Sequence, residues 1–197
     1  MNRLIGLFAL LLVLSACTAT RTSASAPPMT EEQMNQRMME IGTPGEAHQK
    51  LNPMAGQFKA DITMWMSADA PPQKSEGTMS AQWIYGGRYL RGEFKSSFME
   101  QPFEGVSLVG YSVAAGCYEG SWIDSMSTMI YPVSQGTLKG STFEFRREML
   151  DPILNVPSYS REVLTIHNND SHTLEGYSPG QDGKEFKMME IRYTRVN

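Results

Sequence analysis

From residue 54 to the C-terminus, short β-like runs recur at nearly even spacing, separated by glycine, asparagine and aspartate. The runs are 56–66, 76–85, 88–98, 103–111, 117–124, 128–137, 141–148, 159–167, 172–178 and 185–195. Gly86-Gly87, Asn168-Asn169-Asp170 and Gln181-Asp182-Gly183 supply turn chemistry, because glycine and asparagine accept backbone conformations that other residues resist. Regular short strands with tight turns predict an antiparallel sandwich or barrel. No helical period interrupts them, which argues against a parallel α/β sheet. Short connections between consecutive strands favour an all-β, up-and-down barrel of about ten strands, which also leaves no exposed edge. Pro132 has no N–H for a ladder, so its expected place is a bulge or an edge.

Alternation then assigns an inner face. Phe58, Ala60, Ile62 and Met64 alternate with Gln57, Lys59, Asp61 and Thr63, and Leu90, Gly92 and Phe94 with Arg91, Glu93 and Lys95. The run 117–124 is less regular, because Ile123 and Asp124 break the pattern. The candidate wall of an interior binding site is Met64, Phe94, Phe98, Tyr118, Trp122, Phe143 and Phe145. Asp124 and Arg161 are charges set among apolar neighbours, and a buried charge is retained only when paired and hydrogen-bonded. Each is therefore read either as half of a structural ion pair or as a polar anchor for a ligand headgroup.

The N-terminal third reads as an address and a preface. Met1-Asn-Arg brings a positive charge, Leu4 to Leu14 is almost continuously apolar, and Ser15-Ala16 are small, the order of a secretory signal. The apolar run is shorter than the ~20 residues of a spanning helix. Leu14-Ser15-Ala16-Cys17 resembles the lipobox of bacterial lipoproteins. That resemblance implies cleavage before Cys17 and acylation of its sulfur and its new amino terminus. Thr18, where an aspartate would suggest inner-membrane retention, points to the outer membrane, with the domain facing the periplasm. Residues 17–29 form the lipidated cysteine and a polar, proline-ended linker, with a reach of about 35–40 Å when extended. Within the preface 30–53, Thr30-Glu31-Glu32-Gln33 fits a capping box, and Met34, Met38 and Ile41 follow on one helical face ended by Gly42. Thr43-Pro44-Gly45-Glu46 reads as a second box with proline at the first helical position, and Pro53 as its stop. The barrel domain is 54–197.

Few chemistries find support. A net charge of −4 with no basic cluster excludes a nucleic-acid surface. Cys17 is consumed by lipidation, so Cys117 has no partner and there is no disulfide framework. The 15 methionines suit core filling or an adaptable apolar pocket, and only Met64-Trp65-Met66 and Met126/Met129 hint at Cu(I). No spacing of ligands fits zinc. Haem needs an axial histidine on a pocket wall; His167 and His172 are the candidates, although their place beside the Asn168-Asn169-Asp170 turn suggests water around both. His48 is expected to be solvated or to cap its helix. A triad from Ser125, Asp124 and His167 lacks a nucleophile elbow. No catalytic residue is assigned, and no metal or other cofactor is expected.

Gly56-Gln57-Phe58 after a short helix resembles the opening of calycin barrels, the lipocalin and fatty-acid-binding superfamily, with Phe in place of the usual Trp. In lipocalins an arginine near the last strand covers that ring, and the resemblance gives Arg195 this role over Phe58. A closer similarity runs from His48 to Arg195. Gly77-Thr78, Gly86-Gly87-Arg88-Tyr89-Leu90, Gln101-Pro102-Phe103-Glu104-Gly105, Gly110-Tyr111, Trp122-Ile123-Asp124, Asp182-Gly183-Lys184-Glu185 and Met189-Glu190-Ile191 resemble the bacterial family catalogued as domain of unknown function 1579. Ser112 departs from it, where the family usually has Asp. The resemblance implies a calycin-like barrel and no particular activity. The expectation is a monomeric, lipid-anchored envelope protein whose barrel binds a small apolar or amphipathic molecule. The alternatives are an envelope protein-interaction module with a solid barrel, and a haem-binding or enzymatic barrel.

Overall fold

The computed structural model describes residues 27–196. Helix α1 (Glu31–Gly42) opens on the expected box: Gln33 N donates to Thr30 Oγ1 at 3.2 Å, and Thr30 N to Gln33 Oε1 at 2.9 Å. None of its residues is buried, so Met34, Met38 and Ile41 remain exposed. Helix α2 (Glu46–Gln49) starts later than its sequence suggests. Thr43, which precedes a proline, is held extended, and its hydroxyl donates back to Met39 O at 2.6 Å. The cap falls to Gly45, whose N–H donates to His48 Nδ1 at 3.1 Å. A 3₁₀ turn, Asn52–Met54, leads into the sheet.

Ten strands follow: β1 (Gly56–Met64), β2 (Gln73–Ile84), β3 (Tyr89–Phe98), β4 (Gln101–Ser112), β5 (Cys117–Asp124), β6 (Ser134–Lys139), β7 (Thr142–Leu150), β8 (Pro157–Ile166), β9 (Ser171–Pro179) and β10 (Glu185–Arg195). Each pairs antiparallel with its chain neighbours, and β1 pairs with β10 to close the barrel. The largest departure from expectation is β6, which is six residues long and begins after Pro132. Proline cannot donate to a ladder, and β5 meets β6 over only three register pairs, Tyr118↔Gly136 to Gly120↔Ser134. Beyond them a single backbone–backbone bond, Tyr131 N to Trp122 O at 3.2 Å, ties the 125–133 segment to β5.

The up-and-down order gives the barrel two different ends. The β1–β2, β3–β4, β5–β6, β7–β8 and β9–β10 connections lie at one end, here called the mouth. The other four connections, the helical preface and the end of β10 lie at the closed end. Tyr118 Oη donates to Ala47 O at 3.0 Å, and Trp83 Nε1 to Asn52 Oδ1 at 3.0 Å, which fixes the preface there. Arg195 completes the closure: its guanidinium carbon lies 4.6 Å from the centre of the Phe58 ring, and its nitrogens donate to the carbonyls of Pro53, Ala55 and Asn169.

Candidate functional site

Inside the barrel, the two ends are filled differently. At the closed end Leu51, Tyr118, Phe143, Phe145 and Leu164 form one buried cluster, with Tyr118 edge-on to Phe143 at 4.9 Å. His48 is buried in this floor beside the edge of Tyr111, and burial, then the Arg88 charge, hold its pKa below the ordinary value. A second cluster, built on Phe58, Ala60, Ile62, Phe94, Ile191 and Tyr193, lines the β1–β10 side. Between them remains a cavity of about 260 Å³.

Most of the cavity wall is apolar, from Met79, Leu90, Phe94, Phe145, Leu174 and Ile191 among others. Its aromatic rings lie over glycines. A side chain at Gly136 would collide with the Phe145 ring, and one at Gly105 with the indole of Trp122. The Trp122 and Phe103 rings stack at 6.4 Å, and Phe94 meets both edge-on. Trp122 Nε1 donates to Asp124 Oδ2 at 2.8 Å, so the indole's polar edge is satisfied without using the cavity.

Arg147, Glu162 and His172 interrupt the apolar wall, with the hydroxyls of Ser107, Ser121 and Ser134. Arg147 Nη2 donates to Glu162 Oε1 at 2.5 Å, while its buried Nε and Nη1 have no partner among the described residues. The arginine side chain is 5% exposed and the glutamate 30%. The Tyr131 ring stands 5.7 Å from the guanidinium carbon, and burial, then the Asp124 charge, raise that tyrosine's pKa. His172 stacks on Tyr193 at 4.6 Å and meets the edge of Phe58 at 4.8 Å. Its Nδ1 is buried without a partner, and burial, then the charges of Arg195 and His167, lower its pKa to about 4. It is a neutral ring at neutral pH. Burial also pushes the Tyr193 phenol well above its usual range.

Of the expected wall residues, Phe94, Trp122 and Phe145 line the cavity. Tyr118 and Phe143 lie beneath it in the floor, Met64 packs beside it against the Phe58 cluster, and Phe98 sits at the mouth end of β3. Asp124 does not face the cavity. Besides the Trp122 indole, it accepts the Met126 N–H at 2.9 Å and so shapes the turn after β5. Arg161 takes the structural ion-pair reading, and its reading as a headgroup anchor is corrected: it pairs with Glu185 at 2.5 Å and lies over the Tyr177 ring at 4.1 Å, outside the cavity. The inward charges are its neighbour Glu162 and Arg147. The alternation Phe143, Phe145, Arg147 carries the signal for the second of these. His172 is a further correction, since it is buried rather than solvated, while His167 stays exposed and bonds Thr173 at 2.8 Å. Cys17 lies outside the described residues. Among the described residues, no three metal-ligating side chains converge and no helix is long and apolar enough to cross a membrane.

The mouth is unusually apolar on its outside. Met66, Met99, Met126, Ile130, Ile153 and Leu154 lie on four of its five connections and are 56–89% exposed. Those connections carry no lysine or arginine.

No curated protein matches the chain by sequence. Among solved structures it is similar to Rv2717c from M. tuberculosis, at 13% identity and TM-score 0.58, covering 79% of this chain and 100% of that one. It is also similar to the S-type phycobiliprotein lyase CPES from Guillardia theta, at 10% identity and TM-score 0.54, covering 78% of this chain and 99% of that one. At such identities the likeness is one of fold. The match that reaches sequence is to a family model described as "Protein of unknown function (DUF1579)", and because it spans residues 43–195, the preface's second helix and the whole barrel, the chain belongs to that family.

Proposed function

We propose that this protein binds a small apolar or amphipathic molecule inside its barrel. The observation that carries the reading is the apolar cavity of about 260 Å³ left between two packed clusters. Interiors normally pack without voids larger than a water molecule, so a space this size is a departure that function explains. It is slightly below the ~300–1,000 Å³ of drug-sized pockets, which points to a compact ligand. The His172 ring is stacked on Tyr193 and packed T-shaped with Phe58, and the space is small for a macrocycle, so the geometry does not favour haem. Native mass spectrometry of the gently purified protein, before and after incubation with cell-envelope lipid extract, is expected to show an adduct on the order of 100–300 Da. Ser107→Phe, which places a ring in the cavity, is expected to abolish the adduct with the far-ultraviolet spectrum unchanged. A clean apo mass for the unaltered protein under both conditions would sink this reading.

The envelope location remains part of the proposal, with Cys17 as the acylated anchor. The apolar mouth supports it and favours a second role, contact with a lipid surface. Four loop tips that carry exposed apolar side chains and no basic residue suit shallow insertion between lipids rather than attraction to an anionic partner. The linker's reach of about 35–40 Å together with α1 exceeds the roughly 33 Å of a ten-residue strand, so an anchor at the closed end leaves the mouth free to face the same bilayer. Unlipidated protein is expected to co-sediment with zwitterionic vesicles with little dependence on salt, and Ile153→Asp with Leu154→Asp to lower the bound fraction severalfold. Equal binding by the two proteins would remove the mouth from the account.

A further inference from the structure

We propose, on the reading that the cavity holds a small molecule, that its ligand is a medium-chain monocarboxylate whose carboxylate is seated against Arg147. A guanidinium has five N–H donors, and Arg147 uses Nη2 on Glu162. The three N–H bonds on Nε and Nη1 are buried and unpartnered. Unpaired buried donors are destabilising, so their retention in an otherwise apolar wall needs a reason, and an oxygen acceptor from a ligand supplies one.

The donors define the headgroup. Arg147 has no acceptor atom, so an ammonium would gain nothing from it and would be repelled. A charged oxygen forms hydrogen bonds about twice as strong as a neutral one does. Among the cavity's lining residues the only charges are Arg147 and Glu162, since His172 is neutral at pH 7. Glu162 is the more exposed partner, and it leaves Nε and Nη1 buried and unpaired, so a second carboxylate on the same cation would satisfy them. The two carboxylates then compete, which gives the arrangement a sign that a purely structural ion pair lacks. The apolar walls at Leu90, Leu164 and Ile191 suit an alkyl chain. At roughly 30 Å³ per non-hydrogen atom, the space holds on the order of nine atoms, close to an eight-carbon acid.

The test is isothermal titration of the purified protein at pH 7.5 with octanoate and with octanamide, its neutral isostere. Octanoate is expected to bind at least tenfold tighter. Glu162→Gln removes the competing charge and is expected to tighten octanoate severalfold, well beyond any change for octanamide. Arg147→Gln is expected to erase the preference, costing octanoate far more affinity than octanamide. If Arg147→Gln fails to fold, the isostere comparison and Glu162→Gln still decide. Equal affinities for the two compounds, or weaker octanoate binding in Glu162→Gln, would overturn the carboxylate site and leave the apolar cavity standing. Failure of both compounds to bind would overturn this inference, while the small-molecule reading itself falls only with a clean apo mass of the unaltered protein.

Discussion

Arg195→Ala is expected to destabilise the barrel by about 3–5 kcal/mol and to lower its melting temperature by on the order of 10 °C. The guanidinium makes four hydrogen bonds to three carbonyl oxygens, at 2.6–3.0 Å. Those oxygens belong to the helical preface (Pro53, Ala55) and to the β8–β9 turn (Asn169), segments more than 100 residues apart. Hydrogen bonds to a charged group are each worth about 1.5–3 kcal/mol, but they share one cation and are not additive. The side chain is 23% exposed, so water replaces part of what is lost, and the expected figure sits well below the gross sum. The Phe58 face is a further loss, because the ring is 1% exposed with the guanidinium over it, and truncation opens it to water. Arg195→Lys separates charge from shape. Lysine keeps the cation but lacks the planar fork that reaches three carbonyls at once, so it is expected to recover less than half of the loss. Thermal and urea unfolding of the three proteins check this. Full rescue by lysine would mean that charge alone holds the closed end.

That clasp is anticipated by the resemblance to calycin barrels, which implies Arg195 over Phe58, and the structure pairs β1 with β10 in register Phe58↔Arg195. The strands were legible for a different reason. Period-two alternation and glycine turns are local signals, and nothing in the tertiary structure opposed them over most of the chain. Where local signals conflicted, the sequence misled. Residues 128–133 look β-like, but Pro132 has no donor, so the ladder of β6 starts only at Ser134. Thr43 looks like a cap, but its hydroxyl turns back to Met39 O of α1, and Gly45 takes the cap of α2 instead.

The candidate site was less legible, and for different physical reasons. A cavity is a difference between large volumes, and no single residue announces it. Tyr118 and Phe143 point inward as alternation requires, yet they fill the floor because α2 and Leu51 press on them. Arg161 drew attention as a charge among apolar residues, while parity along β8 places Glu162 and Leu164 on the inner face instead. The same parity along β7 places Arg147 inside after Phe143 and Phe145. His172 was misjudged because a turn three residues long precedes it, whereas its pairing with Tyr193 across β9 and β10 buries it.

His172 also yields the second large effect, a loss of stability on mild acidification. Its pKa is 6.5 in the unfolded chain and about 4 in the folded barrel, with burial the largest cause and the Arg195 and His167 charges next. The folded pKa is the lower one, so between these values the unfolded chain binds the extra proton, and stability falls as pH falls. The contribution is fully present above about pH 6.5 and is lost progressively toward pH 4. Each unit of pKa difference corresponds to about 1.4 kcal/mol, so the loss approaches about 3 kcal/mol at pH 4, with a limiting slope near 1.4 kcal/mol per pH unit. Glu185 and Glu190, whose pKa values Arg161 and Lys187 hold below the carboxylate range, add their own losses at lower pH, beneath about 4.5. The window from pH 6.5 to 5 therefore separates the buried histidines from those carboxylates, with His48, whose pKa burial and the Arg88 charge also lower, adding to the decline in the same direction. His172→Phe keeps an aromatic ring between Phe58 and Tyr193 and removes the larger titration, so its urea-unfolding free energy is expected to decline much less across that window than the parent protein's, the remainder coming from His48. Parallel declines in the two proteins would assign the acid sensitivity elsewhere. The same measurement bears on function, because a neutral His172 leaves Arg147 and Glu162 as the charges of the cavity wall, and protonating it would place a second cation in the apolar space a ligand must enter.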